Sequence, residues 1–328
     1  MLFLFTMIFG TMISISSFSW MGMWLGLEIN LLAIIPLMIN NNIFSSEAAL
    51  KYFIVQALAS TIFLFSLIMI SSNFILFIDS IMILMLNSSL LMKMGMAPFH
   101  FWFPEVMEGL TWMNCLLVLT WQKITPMILI MYNLNFSLFL FFTIMFSILI
   151  SSIMGINQIS LRKILTFSSI NHIAWMISSM FYIDMIWFYY FLIYSIISIN
   201  IILIFYLNNI FFVKQLFSSF NKNFMIKFFF ILNFLSLGGL PPFLGFFPKW
   251  LTIQNLIENN FIMLTFLMII FTLLTLFYYM RITFSALMMN SFELNFSFNF
   301  INSNFLIFSI NMISILGILF STLIFNYF

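Results

Sequence analysis

No charged residue precedes Glu28 and no basic one precedes Lys51. Beyond them, long apolar runs follow one another to the C-terminus with only short polar breaks. Those breaks divide the chain near 1–18, 21–40, 47–71, 79–97, 111–132, 136–155, 161–180, 185–206, 225–256, 259–280 and 304–327. A transmembrane helix needs about 20 mostly apolar residues, so the pattern predicts an all-α polytopic membrane protein with about 11 transmembrane helices. Strands of an outer-membrane barrel would instead alternate in polarity over about 10 residues. Composition agrees: hydrophobic residues make up 64% of 328, charged residues 5%, and the mean hydropathy is +1.20. Soluble domains carry roughly 25% charge.

Several functions are excluded at once. The longest loops, near 207–224 and 281–303, are too short to enclose a soluble core, which argues against a nucleotide or nucleic-acid partner. Aromatic residues lie at lipid depth and are not interleaved with positive charge. The single cysteine, Cys115, cannot form a disulfide within the chain, and an iron–sulfur cluster would need about four thiolates. His100 and His172 are too few for two bis-histidine haems. No phosphate-binding glycine loop occurs. The expectation is a chain without a redox cofactor of its own. The N-terminus lacks the basic segment of a signal peptide and the arginines of a transit peptide. Usage skewed toward Phe (49) and Met (28) also suits an A/T-rich genome such as a mitochondrial one. Together these predict a chain that needs no import signal.

With eleven helices the connections alternate between two sides. One side collects Arg162, Lys163, Lys214, Lys222, Lys227 and Arg281, with Lys51 just inside a helix leaving it; the other holds Asp79, Asp184 and Glu258. The excess of Lys and Arg places the first side, and the N-terminus, in the matrix or its bacterial counterpart and the C-terminus across the membrane. Loop charge therefore accounts for seven of the ten basic residues. Lys93, Lys123 and Lys249 remain. Lys123 stands about twelve residues into its predicted helix, ~18 Å deep at 1.5 Å per residue. Glu28, within "WMGMWLGLEINLLAIIPLMI", is similarly interior. A charge at such depth costs at least ~2.5–3.5 kcal/mol, and such residues usually face a bundle interior or watery cavity on an ion or proton route. The competing reading is a structural ion pair or a snorkelling lysine, but snorkelling reaches only a turn or two from a helix end.

A repeat lies among these residues. "GMAPFHFWFPE" begins at Gly95 and "GLPPFLGFFPK" at Gly239, 144 positions later, both reading G-x-x-P-F-x-x-[FW]-F-P. Gly and Pro break helical hydrogen bonding, and broken backbone at membrane depth survives only inside protein or beside a water-filled cavity. Two such breaks in corresponding halves point to a transport site. They fall in the fourth and ninth predicted helices, so each repeat spans an odd number of helices and the second is inverted. The expectation is one transmembrane domain, 1–328. It holds two inverted five-helix repeats, 1–135 and 136–285, each with one broken helix, then a C-terminal loop and helix, 286–328. The same offset carries Glu28 onto His172. A lone helical histidine is more often a hydrogen-bonded structural residue, so both readings of His172 stay open. His100 belongs to the first break and could bond its freed carbonyls, while Glu105 and Glu108 are expected to end the broken helix at the surface.

"WLGLEIN", "KMGMAPFHFWFPEVMEGLTW", "LTWQKI", "LRKILTFSSINHIAWM" and "LSLGGLPPFLGFFPKW" together resemble the antiporter-like, proton-translocating membrane subunits of respiratory NADH:ubiquinone oxidoreductase, complex I. The likeness spans about residues 20–285. It implies a proton-translocating set of Glu28, Lys93, Lys123 and Lys249, with His172 bridging the halves. It also implies a multi-pass place in the mitochondrial inner membrane, among lipids and other membrane-arm subunits including neighbouring antiporter-like ones. NADH, FMN, iron–sulfur clusters and ubiquinone would be handled by the rest of the complex. Within that picture Glu28 and Lys93 are expected to form a switchable charge pair. The same buried Lys and Glu would also suit a self-contained sodium/proton antiporter.

Overall fold

In the computed structural model, residues 1–40, 42–72, 76–134, 137–220, 224–241, 243–288 and 311–312 are described. The expected C-terminal helix at 304–327, Lys222 and Pro242 lie outside them. Among the described residues every extended element is helical, apart from one isolated bridge between Ser160 and Phe212. Six helices there are long and apolar enough to cross a membrane: Trp20–Met38, Ile43–Ser71, Trp112–Met131, Leu138–Ile156, Asp184–Leu207 and Ile262–Leu287. Shorter apolar helices are Leu2–Ser16, Ser80–Met94 and Met225–Gly238. Many large apolar side chains point outward, among them Phe9, Phe142, Phe146, Phe266 and Phe277, as lipid-facing surface requires and water-facing surface does not.

The chain forms two compact units, Met1–Ser147 and Ile148–Phe328. In the first, α1 (Leu2–Ser16) packs against α2 (Trp20–Met38) through Gly10 and Gly26. A Cβ on Gly26 would stand 2.7 Å from the Gly10 carbonyl oxygen, so small residues let the two backbones touch. Then come α3 (Ile43–Ser71), α4 (Leu76–Met94), the short α5 (Trp102–Gly109), α6 (Trp112–Leu119), α7 (Trp121–Met131) and the first half of α8 (Ser137–Ile156). Reciprocal amide bonds between Asn87 and Asn133, with Asn87 Nδ2 donating to the Asn133 carbonyl and Asn133 Nδ2 to Asn87 Oδ1, both 3.2 Å, tie α4 to the end of α7. The sequence predicts one helix over 111–132. Instead its backbone departs from helix at Thr120, φ −115° and ψ −70°, shortly before Pro126, which has no N–H for the Gln122 carbonyl.

The second unit contains α9 (Leu161–Met180), α10 (Asp184–Leu207), α11 (Val213–Phe220), α12 (Phe224–Gly238), α13 (Phe246–Glu258) and α14 (Ile262–Met288). Every residue of α9 from Ile164 to Met180 is buried. That explains how a twenty-residue helix too polar to rank with the six candidate spans fits a membrane protein. Its Ser, Asn and His side chains meet protein rather than lipid, where unsatisfied polar groups are costly.

Candidate functional site

Both breaks are built on four matching backbone hydrogen bonds. The Gly95 N–H donates to the Met92 carbonyl (3.2 Å) and the Met96 N–H to that of Leu91 (3.1 Å); 144 residues on, Gly239 donates to Ser236 (3.0 Å) and Leu240 to Leu235 (3.4 Å). This paired pattern is the glycine-terminated end of a helix, with the glycine left-handed. Gly95 sits at φ +73° and Gly239 at φ +75°, a conformation nearly free of cost only for glycine. The parallel continues with Phe99 to Met96 (2.8 Å) and Phe243 to Leu240 (2.9 Å), then Phe103 to His100 (3.0 Å) and Phe247 to Leu244 (3.3 Å). Helix resumes at Trp102 in one copy and Phe246 in the other.

Breaking a helix strands its last carbonyls, and the copies satisfy theirs differently. In the first unit neutral groups do so: Trp102 Nε1 donates to the Met92 carbonyl (3.2 Å) and Gln56 Nε2 to that of Lys93 (3.1 Å). In the second, Lys249 Nζ donates to the carbonyls of Leu237 (3.2 Å) and Gly238 (3.0 Å). A cation there also meets the negative end of the α12 dipole. A Cβ on Gly239 would lie 2.9 Å from that Nζ, so the missing side chain is what makes room for the ammonium.

Each of the three interior lysines is buried: Lys93 7% exposed, Lys123 2%, Lys249 6%. The Lys93 ammonium lies 6.0 Å from the Phe63 ring centroid and that of Lys123 5.4 Å from Phe103. Lys93 borders a small polar cavity with Asn30, Tyr52, Gln56, Gln122 and Thr125. Its ≈ 10 Å³ of room for water centres suits about one water molecule. Lys93 and Lys123 also border one dry crevice with Tyr52, Trp102, Phe103 and Gln122. Gln122 therefore lines both spaces. Its Nε2 donates to Asn30 Oδ1 (2.9 Å), and its Oε1 accepts from the Tyr52 hydroxyl (3.4 Å).

Glu28 is half-buried on α2. It does not form a contact ion pair with Lys93. The ion pair within 4.0 Å that joins lysine to carboxylate among the described residues is Lys51–Glu105, 2.7 Å apart and exposed. Glu105 thus lies at the surface, where the sequence predicts it. In the second unit His172 is buried, and its Nδ1 lies 2.9 Å from the Tyr190 hydroxyl. His100 is buried beside the first break, with Nδ1 3.4 Å from the Pro98 carbonyl oxygen. Sequence reasoning singles out the charges and passes over Asn30, Tyr52, Gln56 and Gln122. The available signal was weak: an Asn two residues after Glu28 and a Gln directly before Lys123, both amides inside apolar helices.

Chemically, the arrangement offers amines that can take up and release protons, held away from bulk solvent beside polar side chains. No group of three or more metal-ligating side chains gathers among the described residues. The fold and this set of interior amines define an antiporter-like membrane subunit. The chain belongs to the NADH:quinone oxidoreductase/Mrp antiporter transmembrane family, which residues 17–275 match. Within that family it is similar to the NADH-ubiquinone oxidoreductase chain 2 of Locusta migratoria, 50% identical over 292 residues that cover 88% of this chain and 85% of that one. It is also 49% identical to the protein of the same name from Anopheles gambiae, over 294 residues covering 88% and 86%. A chain of respiratory complex I from Thermus thermophilus superimposes with a TM-score of 0.88 at 20% identity, covering 98% of this chain and 77% of that one, which shows the shared fold.

Proposed function

We propose that this chain, as a membrane-arm subunit of NADH-ubiquinone oxidoreductase, carries protons on Glu28, Lys93 and Lys123 in its first unit and on His172 and Lys249 in its second. The single observation that supports this most is the shared crevice. Two buried amines on different helices, Lys93 and Lys123, border one dry space and flank the same Gln122. A scaffold gains nothing from two such amines, because burying each charge is costly. The amine matters because it can lose a proton, whereas arginine stays protonated. A carboxylate near Lys93 favours its ammonium form, and drawing Glu28 away removes that support. Movement of Glu28 by a neighbouring membrane-arm subunit would thus become a proton step. The through-space separation of the pair suits a switch better than a locked contact would.

In this reading the chain crosses the mitochondrial inner membrane about eleven times, with the N-terminus on the matrix side by the positive-inside distribution of Lys and Arg. Two inverted five-helix repeats, 1–135 and 136–285, frame two half-channels, and the four hydrogen bonds that the breaks share support the repeat. Other antiporter-like subunits and lipids surround it. The chain carries no cofactor; electron transfer from NADH to ubiquinone takes place on other subunits.

The test is Lys123→Arg. The expected result is an assembled complex that oxidises NADH but translocates few protons per NADH in proteoliposomes, because arginine keeps the charge and cannot pass the proton. Wild-type pumping would rule out a carrier role for Lys123. The antiporter branch of the same family gives a second reading, a self-contained sodium/proton exchanger. Native electrophoresis with an in-gel NADH-oxidation stain separates the two. Migration inside a large NADH-oxidising assembly supports the subunit, and migration alone supports the exchanger.

A further inference from the structure

The polar cavity and the dry crevice beside Lys93 share three lining residues, Tyr52, Lys93 and Gln122. Lys93 is the carrier, so the wall between the two spaces is Tyr52 with Gln122. Both residues are buried or half-buried, where leucine or phenylalanine would fill the same volume without hiding an amide or a hydroxyl. Their side chains meet. The Tyr52 hydroxyl donates to Gln122 Oε1 at 3.4 Å, while Gln122 Nε2 donates to Asn30 Oδ1 at 2.9 Å. The first bond is long for an O–H···O contact, usually about 2.5–3.0 Å, and the second has the ordinary N–H···O length. Gln122, on α7, is thus held firmly to α2 and loosely to α3.

The two spaces differ in what they can hold. A buried water needs roughly two to four polar partners. The cavity supplies the amides of Asn30, Gln56 and Gln122 and the Lys93 ammonium. It also supplies the Thr125 hydroxyl, which is buried and has no hydrogen-bond partner among the described residues. The crevice is bounded by Met94, Trp102, Phe103 and Val118 and has no room for a water. Of the two spaces Lys123 borders only the crevice, with its Nζ 5.4 Å from the Phe103 ring centroid. Water can therefore reach Lys93, and the Tyr52–Gln122 contact stands between that water and Lys123.

We propose that the Tyr52–Gln122 contact is a gate on proton passage between the two lysines, with Gln122 the residue that moves. Closed, it holds the cavity water away from Lys123. When Gln122 swings off Tyr52, that water enters the crevice and bridges the two amines. One N–H bond of the Lys93 ammonium breaks as an O–H bond forms on the water, and another O–H bond of the water breaks as an N–H bond forms on neutral Lys123. Lys93 is left neutral, Lys123 is charged, the water is restored, and Tyr52 and Gln122 keep their own protons. Asn30 stands two residues after Glu28 on the same helix. A displacement of α2 that draws Glu28 away from Lys93 thus also shifts the acceptor that holds Gln122, so loss of the carboxylate and opening of the gate are one movement.

The gate rests on the proton-carrying reading above and is tested separately from it. Tyr52→Phe removes the hydroxyl and keeps the ring, which packs edge-on against Trp102 with centroids 5.7 Å apart. In proteoliposomes that hold the intact complex and no NADH, an imposed pH gradient should collapse several-fold faster than with wild type, because the wall no longer closes. Adding Lys123→Met should bring the decay back to the wild-type rate or below, because the added leak runs through that amine. A wild-type decay in Tyr52→Phe overturns the gate. So does a fast decay that persists in the double variant, which marks general damage to the bundle. If Tyr52→Phe does not assemble, Gln122→Ala, which removes both bonds, is measured with and without Lys123→Met against the same criteria. Lys123→Arg separates the two levels of inference. Wild-type pumping in it defeats the carrier reading itself, whereas pumping lost in Lys123→Arg together with an unchanged decay in Tyr52→Phe defeats only the gate.

Discussion

The breaks after Met94 and after Gly238 share their backbone hydrogen bonds and their left-handed glycine, yet one is closed by neutral side chains and the other by a cation. The residue at the position of Lys249 in the first copy is Glu105, 144 positions earlier. It turns to the surface and pairs with the exposed Lys51, while the first copy's own lysine, Lys93, stands before its break. A repeat can therefore keep its frame while its charge moves to the other side of the interruption. In the first unit the ammonium is left free of the backbone and close to Gln122, Asn30 and the shared crevice. In the second it is anchored on carbonyls. The first lysine can respond to a partner charge, whereas the second must give up two hydrogen bonds to move.

Removing each lysine should expose that difference most strongly. Lys249→Met takes the donor from two buried carbonyls, and each unsatisfied group costs about 1–3 kcal/mol. It should lose pumping and also lower the thermal stability of the assembled complex. Lys93→Met leaves its own carbonyl bonded to Gln56, and should lose pumping with much less loss of stability. Equal melting temperatures for the two variants would erase the anchored-versus-free distinction.

Alanine at each glycine should give a smaller, graded effect. Both substitutions force a left-handed residue, at roughly 1–2 kcal/mol. A Cβ at Gly95 meets the Phe103 ring at 3.0 Å, while one at Gly239 meets Lys249 Nζ at 2.9 Å. Gly239→Ala should therefore reduce proton yield beyond its effect on assembly, and Gly95→Ala should act mainly on assembly. Yield per assembled complex decides it; equal yields in the two variants would mean that the position of Nζ does not matter.

The smallest effect is expected at Glu105→Gln. Its ion pair with Lys51 is exposed, and such pairs contribute little. Stability and proton yield should match wild type. A clear loss of pumping would show that position 105 has kept the role its counterpart Lys249 plays, and would restore symmetry between the breaks.

Much of this was open to sequence reading for a definite reason. Apolar runs place helices well because lipid tolerates little else: α9 spans the predicted 161–180, α10 covers 184–207 against 185–206, and α8 137–156 against 136–155. Both glycine breaks were legible because a left-handed helix end between two apolar stretches has few residue solutions. Thr120 was not, since no glycine or proline stands there. The neutral side chains around Lys93 were equally hidden. An amide in an apolar helix carries no sign of whether it will bind a carbonyl, another amide or a water.

The sequence alone determined that this chain is a helical membrane protein, where its helices run, that two of them break in register, and which charges are too deep for loops to explain. Each of these follows from local chemistry, namely the cost of polar backbone and charge in lipid and the backbone freedom of glycine. Only the tertiary structure decided the partners. Lys249 rather than a neutral donor closes the second break, Gln122 joins the two spaces beside Lys93, and Glu28 makes no contact ion pair with Lys93. His172 meets Tyr190, and α9, polar as it is, lies wholly inside. Such choices depend on which helices pack together and at what height, and residues far apart in the chain meet only when hydrophobic and small-residue surfaces have fixed that packing.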